Sequence, residues 1–300
     1  MKRILITGAS GLIGKSAVRA LVDQGLDVHA VARTVPETSS DVTWYACDLL
    51  APGAAESLVH NVQATHLLHL AWVTEHGHFW NAPENTEWQA VTQRLIEAFQ
   101  ANGGTRVVMA GTCAEYDWTD LGDGVCREGV TPIKPHTLYG QSKVDTHAWL
   151  AEYAAKSGLS YAWGRLFLLF GEGESAKRLV PSVASALAAG RVAECSSGIQ
   201  IRDFMDGRDA GAAFAALLMS DVVGALNIAS GEGCAIGEVV TILGEISGHP
   251  ELIHLGAFAD RADDPVKLVA CVDRLRQEVG FKSTHELRES LFEAYQKLKN

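Results

Sequence analysis

Tyr139 and Lys143 are the two side chains in this sequence whose types and spacing best suit proton transfer. Four residues apart in a predicted helix, they lie one turn apart on the same face. A free tyrosine has a pKa of about 10, and lowering it by two or three units requires roughly 3 to 4 kcal/mol of differential stabilisation. A neighbouring ammonium supplies part of that, so the pair predicts a phenol that exchanges a proton with a substrate.

The same spacing occurs a second time, at Tyr295 and Lys299, where we interpret it as an exposed face of the terminal helix. Tyr139 differs because it follows the fifth predicted strand, which ends at Thr112. Ligands bind outside the carboxyl ends of the strands in parallel sheets. We therefore predict that Thr112, Tyr139 and Lys143 are catalytic, with Thr112 hydrogen-bonded to the reacting oxygen. An ordinary strand-end hydroxyl is the alternative for Thr112.

A glycine-rich turn at residues 7–14 joins a short apolar strand, residues 3–6, to a segment with helical spacing of apolar residues. Glycines there permit a sharp reversal, close approach of a pyrophosphate to the backbone, and tight packing of helix on sheet. The unpaired N–H groups that begin the helix favour an anion, although a purely structural turn is the alternative. The predicted cofactor-binding residues of this turn are Gly8, Ser10, Gly11, Leu12, Ile13 and Gly14.

The tip of the second strand bears on which nicotinamide cofactor is bound. An acid there would accept from the ribose hydroxyls, whereas a base would pair with a 2'-phosphate. Arg33 stands at this tip and no acid does, which favours NADP over NAD; a solvated surface arginine is the alternative. Asp48, with Leu49 beside it, follows the third strand and either accepts from the adenine amino group or caps a helix.

Strand and helix patterns alternate along the first part of the chain, with apolar strands at residues 28–32, 44–46, 66–70 and 106–110. Such alternation predicts an α/β fold, a doubly wound parallel sheet of the Rossmann type. Helices are expected at residues 84–101, 137–156 and 285–298, and a further strand at 161–167. We assign residues 1–170, with 204–230 returning, to a dinucleotide-binding domain. Residues 171–203 and 231–300 form a smaller α/β substrate lobe.

Composition narrows the function classes. The 36 acids outnumber the 25 bases, for a formal net charge of -11, which argues against a nucleic-acid partner and favours a small-molecule substrate. The six cysteines are far apart and predict neither a disulfide framework nor a zinc site. Neither a membrane-spanning run nor a signal peptide is recognised, so a cytoplasmic protein is expected.

These motifs together resemble the extended short-chain dehydrogenases/reductases, specifically the NAD-dependent epimerase/dehydratase family, which acts largely on nucleotide sugars. The resemblance covers essentially the whole chain. It implies that Tyr139 is the acid/base, that Lys143 holds the cofactor ribose and tunes the phenol, and that Thr112 orients the substrate oxygen. It also adds Leu70 and Ala71 to the cofactor-binding residues. The matching segments are residues 7–14, 48–49, 69–71, 112–116, 139–143, 202–204, 227–231 and 273–281.

The chain departs from the family pattern at two places. Dehydratases of the family carry an Asp-Glu pair directly after the catalytic threonine, where this sequence has Cys113 and Ala114. Without those proton carriers, elimination of water is not expected, and Glu115 is predicted to point to another face. Many relatives also carry a substrate-binding Asn where this chain has Leu168, which weakens the nucleotide-sugar assignment.

Five residues are candidates for substrate binding. Trp72 and His76 belong to the loop after the fourth strand, which is expected to overhang the substrate. Arg178 and Arg202 could anchor a diphosphate, with a packing salt bridge as the alternative for each. Cys113 lies near the reacting centre, although a buried structural thiol suits it better. The His-x-His sequence in the loop lacks further ligands, so no metal is predicted.

The leading hypothesis from the sequence is NADPH-dependent reduction of a keto-sugar nucleotide of the 4-keto-6-deoxyhexose type. Arg33 and the missing dehydratase acids motivate it. The main alternative is a nucleotide-sugar epimerase with a retained NAD, and a noncatalytic NADP-binding sensor is a third hypothesis. The resemblance further implies a homodimer.

Overall fold

Strands and helices alternate along the chain in the computed structural model, which describes residues 2–36, 41–261 and 264–299. The strands are β1 Arg3–Thr7, β2 Asp27–Ala32, β3 Thr43–Ala46, β4 His66–His69, β5 Arg106–Thr112, β6 Val125–Cys126, β7 Ser160–Leu166, β8 Leu168–Phe170, β9 Ala193–Glu194, β10 Ile201–Asp206, β11 Gly224–Ile228, β12 Gly233–Ala235, β13 Ile253–His254 and β14 Lys267–Ala270. The helices are α1 Leu12–Val22, α2 Ala54–Val62, α3 Glu84–Ala101, α4 Leu138–Ser157, α5 Leu179–Ala188, α6 Gly207–Met219, α7 Ile236–Ser247, α8 Asp273–Gln277 and α9 Leu287–Lys299.

Seven parallel strands form the main sheet in the order β11-β7-β5-β4-β1-β2-β3. Its two faces are both covered, as the near-continuous apolar strands require. Ile4 and Ile6 of β1 belong to the core that contains Phe214 of α6, whereas Leu5 belongs to the opposite core with Leu95 of α3. The order reverses between β1 and β4, which opens a crevice at their carboxyl ends. The predicted doubly wound α/β fold is confirmed.

A second lobe lies beside this sheet. It contains the strands β12, β10, β14 and β6, with β8 paired to β10, and the helices α5, α7 and α9. Its core includes Val183, Leu243 and Leu291, one from each helix. Between β10 and β12 the chain returns to the main sheet: β11 pairs with β7, and α6 packs on α1. The main sheet therefore forms one side of the crevice. The second lobe, which begins at β8, forms the other side.

One interpretation of the terminal helix was wrong. Tyr295 does not lie on an exposed face of α9 but is 4% exposed, within the core of the second lobe. Leu291, one helical turn earlier, is fully buried in the same core, so the aromatic ring extends the apolar stripe of the helix. In the described part of the chain, no helix combines the length and the apolar character needed to cross a membrane.

Candidate active site

The glycine turn is shaped by close backbone contacts. Gly8 has a φ of +67°, and a Cβ there would lie 2.8 Å from the Ala71 backbone nitrogen. A Cβ on Gly14 would lie 2.1 Å from the Gly8 carbonyl oxygen, so any side chain at that position would force the turn apart. The Gly11 N–H donates to the Gly8 carbonyl at 3.0 Å. Glycine is thus required for the shape of the turn at two positions.

Helix α1 begins directly after this turn, with Gly11 as its N-cap. No side chain caps the helix, and its first turn contains no acid. Its leading N–H groups are therefore available to an anion, and the backbone approaches without side chains at Gly8 and Gly14. This cradle has the shape and the free N–H groups that a dinucleotide pyrophosphate needs, and binding by Gly8, Ser10, Gly11, Leu12, Ile13 and Gly14 stays a prediction.

Leu70 and Ala71 complete the crevice from the end of β4. The Leu70 N–H donates to the Thr7 carbonyl at 3.2 Å, and the Ala71 N–H donates to the Thr7 hydroxyl at 3.3 Å. These hydrogen bonds join the carboxyl ends of β1 and β4, the two strands that flank the switch point. The two residues that the resemblance adds therefore lie against the glycine turn.

The remaining predicted cofactor residues lie toward the β3 edge of the sheet. Arg33 is exposed immediately after β2. Asp48 is exposed, and its Oδ1 accepts a hydrogen bond from the Leu50 N–H at 3.1 Å, so its carboxylate stabilises a turn. Leu49 is 4% exposed and packs into the core between the sheet and α2.

Helix α4 carries Tyr139 and Lys143. The Thr137 hydroxyl accepts from the Gly140 N–H at 3.1 Å and caps the helix. A Cβ on Gly140 would lie 2.5 Å from the Ala114 carbonyl oxygen, so this glycine lets the helix approach the end of β5 closely. Lys143 is 3% exposed, and its Nζ donates to the Ala110 carbonyl at 2.8 Å.

Burial sets the ionisation of this pair. It lowers the pKa of Lys143 to about 7, partly offset by the charge of Glu115. Burial also raises the pKa of the Tyr139 phenol above its ordinary value, opposite to the lowering that the sequence suggests, although the nearby Thr112 hydroxyl opposes that rise. The structure thus brings together Thr112, Tyr139 and Lys143, at the strand edge beside the glycine turn.

Glu115 is the positioning residue that sequence reasoning missed. It is fully buried, and its Oε1 accepts from the Thr112 N–H at 2.9 Å and from the Trp163 Nε1 at 2.8 Å. Its Oε2 pairs with the Arg165 Nε at 2.7 Å. The Thr-x-x-Glu sequence at residues 112–115 is a capping-box signal that could have revealed this role. Because both oxygens are engaged, the carboxylate is not placed to remove a substrate proton.

Trp72 does not, as predicted for its loop, overhang the substrate side of the site but is buried against the Lys143 side chain. Its ring is 8% exposed, its Nε1 donates to the Asn85 Oδ1 at 2.8 Å, and the Lys143 Nζ lies 3.7 Å from its ring centroid. The later aromatics of the same loop face the phenol: the Phe79 and Trp80 rings meet Tyr139 edge-on at 4.9 and 6.0 Å between centroids. Phe79 and Trp80 therefore pack against the ring of the proposed acid/base.

His76 is close enough to several basic side chains to feel their charge. Burial lowers the pKa of His76, and the charges of Arg178, Lys177 and Arg261 lower it further. The Arg178 charge also acts on the Tyr139 phenol. Positive charge thus collects around His76, and Arg178 links it to Tyr139, in a protein of net charge -11.

Three further side chains near these residues are partly or fully buried. Arg202 is 4% exposed, and its Nη2 lies 2.6 Å from the Asp264 Oδ1. Cys113 is buried, and burial raises the pKa of its thiol, so it stays protonated. Glu174, which sequence reasoning did not single out, has a pKa raised to about 7 by burial. Among the described residues, no group of His, Cys, Asp and Glu is arranged to hold a metal ion.

A parallel sheet with a glycine cradle at its switch point, and a threonine, a tyrosine and a lysine at its edge, defines an extended short-chain dehydrogenase/reductase. Residues 4–229 match the model of the NAD dependent epimerase/dehydratase family. The chain belongs to that family of NAD-dependent enzymes.

Curated relatives are similar along nearly their whole length. A UDP-glucose 4-epimerase of Corynebacterium glutamicum is 27% identical, over 98% of this chain and 94% of that protein. A dTDP-6-deoxy-L-talose 4-dehydrogenase (NAD(P)(+)) of Kitasatospora kifunensis is 26% identical, over 98% and 94%. Among solved structures, MoeE5 in complex with UDP-glucose and NAD has a TM-score of 0.83 and 28% identity, and the match covers 98% of this chain and 97% of that one.

Proposed function

We propose that this protein is a nucleotide-sugar 4-epimerase, which oxidises the sugar hydroxyl at C4 to a ketone and reduces it again on the opposite face, with NAD retained. The single observation that carries the proposal is the position of Tyr139, one helical turn before Lys143 on a helix that Gly140 packs closely against the residues following β5, where Thr112 ends the strand. The whole-length similarity to a UDP-glucose 4-epimerase supports epimerisation over reduction.

The side chains of this site divide the proton chemistry. Tyr139 takes the proton from the sugar hydroxyl on oxidation and returns it to the carbonyl oxygen on reduction. Thr112 orients that sugar oxygen toward Tyr139, and the Lys143 ammonium stabilises the Tyr139 phenolate whenever it forms. Backbone groups of residues 8–14, with Leu70 and Ala71, would hold NAD, which supplies the hydride acceptor when bound. The Phe79 and Trp80 rings pack edge-on against the Tyr139 ring and fix its orientation.

The positive charges around His76 offer a place for the nucleotide diphosphate. Arg178 occupies the N-cap position of α5 without a capping hydrogen bond from its side chain, and Lys177 and Arg261 lie close enough for their charges to act on His76. Guanidinium groups bind phosphate oxygens in a bidentate fashion, and two phosphates offset this local charge. We therefore assign the diphosphate to this group, with the sugar directed toward Tyr139.

Incubation with NAD and a panel of nucleoside-diphosphate hexoses, UDP-glucose among them, should yield the C4 epimer of at least one panel member. Proton NMR of the sugar ring would detect it, and absorbance of the reduced nicotinamide should show no net accumulation. A net gain of reduced cofactor equal to the sugar consumed would contradict epimerisation and support a dehydrogenase.

A second candidate function is NADPH-dependent reduction of a keto-sugar nucleotide. The specific observation that favours it is the exposed Arg33 at the tip of β2, where a guanidinium could pair with a 2'-phosphate. In that case the same Tyr139 donates its proton once, to the carbonyl oxygen, and the cofactor leaves oxidised.

Replacing Arg33 by Ala tests this candidate. If Arg33 binds a 2'-phosphate, NADP affinity should fall about tenfold, because a charge-assisted contact is lost, while NAD affinity should be unchanged. Titration of intrinsic fluorescence with each dinucleotide measures both constants, and Arg19→Ala, an exposed arginine of α1, is the control. Equal effects on the two cofactors would exclude the NADP role of Arg33.

A further inference from the structure

Lys143 carries its charge in an unusual setting. Its Nζ donates to the Ala110 carbonyl at 2.8 Å and lies 3.7 Å from the ring centroid of Trp72. The ring centroids of Trp163 and Tyr139 are both 6.0 Å away. Aromatic faces therefore provide much of the surface around this ammonium, and Trp72 is the nearest of them.

The charge of Glu115 contributes to stabilising that ammonium, but it is shared with other partners. Titratable groups near Lys143 include Tyr139 and His147 on its own helix, Glu115 after β5 and His69 on β4. The two Glu115 oxygens are already bonded to Thr112, Trp163 and Arg165, as described above. Burial lowers the pKa of His69 to about 3, so that ring is neutral at physiological pH and adds no charge of its own. The indole face of Trp72 thus lies directly against the ammonium, beside the Ala110 carbonyl that accepts its hydrogen bond.

Trp72 is itself held rigidly. Its Nε1 donates to the Asn85 Oδ1 at 2.8 Å, and the Asn85 side-chain nitrogen donates in turn to the carbonyls of Phe79 at 2.7 Å and Ala82 at 2.9 Å. Its ring stacks on Trp88, with 6.1 Å between centroids. Since the ring cannot turn without breaking these contacts, its face stays directed at Lys143. A fixed π face attracts a nearby cation, most strongly when water is excluded.

We propose that Trp72 is a positioning residue, whose indole face keeps the Lys143 side chain charged and holds it in place within the active site. The inference deepens the proposed function and rests on it, because the ammonium matters to turnover only if Tyr139 is the acid/base. Trp72 acts through Lys143 and does not itself touch the sugar. Its role in the loop after β4 is therefore to hold a charge, not to cover the substrate.

Direct titration of Lys143 tests this inference without any need for turnover. In protein labelled with ¹³C at the lysine Cε, the chemical shift reports the change from ammonium to amine, and the Lys143 signal is the one lost in Lys143→Met. In Trp72→Leu, the midpoint should fall by about one pH unit, since the cation–π contact is removed. Trp72→Phe keeps a smaller π face and should fall by less.

Trp149→Leu is the matched control. It makes the same chemical change on the helix that carries Lys143, but Trp149 stacks on Tyr153 and should leave the midpoint in place. A midpoint that is unchanged or raised in Trp72→Phe overturns the proposal, and that variant decides the question if the leucine variant does not fold. In turnover assays, the alkaline limb of kcat/KM should move with the midpoint. A lowered midpoint in a protein that turns over no nucleotide sugar would overturn the proposed function alone.

Discussion

Tyr139→Phe should lower kcat by about 10³-fold, because the ring remains while the group that exchanges the proton is removed. The phenyl ring still packs edge-on against Phe79 and Trp80, so the fold and the cofactor crevice should persist. Steady-state turnover of the preferred nucleotide sugar measures the loss. Calorimetric titration with NAD should give an affinity within a few-fold of the wild type.

The matched control is Tyr153→Phe, on the same helix. That ring stacks on Trp149 and lies three helical turns beyond the site, so its hydroxyl should be dispensable for turnover. Turnover above a tenth of the wild-type rate in Tyr139→Phe would show that another group carries the proton.

Glu115→Ala should have the largest effect on stability among the changes considered for this site. It removes the fully buried carboxylate that accepts from Thr112, Trp163 and Arg165, and it leaves the 5%-exposed Arg165 charge without its partner. Breaking a buried ion pair from one side costs about 3 to 5 kcal/mol of the free energy of unfolding. Urea denaturation followed by circular dichroism measures this difference.

The control for that experiment is Glu152→Ala, which removes an exposed carboxylate paired with Lys156 on the surface of α4. Solvent screens such pairs, so the urea midpoint should not move measurably. If Glu115→Ala unfolded at the same urea concentration as Glu152→Ala, the Glu115 network would not be the support for Thr112 that we infer.

The glycine turn and the catalytic helix could be predicted from sequence because local geometry dictates them. Residue 14 must be glycine because of the local backbone geometry alone, since a Cβ there would meet the Gly8 carbonyl oxygen. Tyr139 and Lys143 face the same way because they lie one turn apart in a helix. The parallel sheet followed from the alternation of apolar strands and helices, and the structure confirms it.

Contacts between distant segments could not be predicted in the same way. Trp72 follows β4 in an exposed-looking loop sequence, yet Asn85 and Trp88 of α3 turn it inward beneath Lys143. Tyr295 shares its spacing with Tyr139, but helices α5 and α7 bury it. Each outcome depends on which element packs on which, information that spacing along one helix does not contain.

The sequence does not decide between NAD and NADP, because that choice also depends on contacts between distant segments. Arg33 stands at the predicted strand tip, but its exposure leaves the guanidinium free to take many orientations. The relatives include both an NAD-bound structure and a dehydrogenase that is named for either dinucleotide. The proposed proton transfer does not depend on this choice, because we assign it to Thr112, Tyr139 and Lys143 and not to Arg33.

The most direct test of the central claim follows the hydrogen on the oxidised carbon. A nucleotide sugar that carries deuterium at C4 should be converted with the deuterium retained, on the product sugar or on the nicotinamide ring, and with none in the water, as measured by mass spectrometry of both species. Deuterium released into solvent would mean that the carbon loses a proton instead of a hydride. That result would contradict the oxidation and reduction assigned to this site.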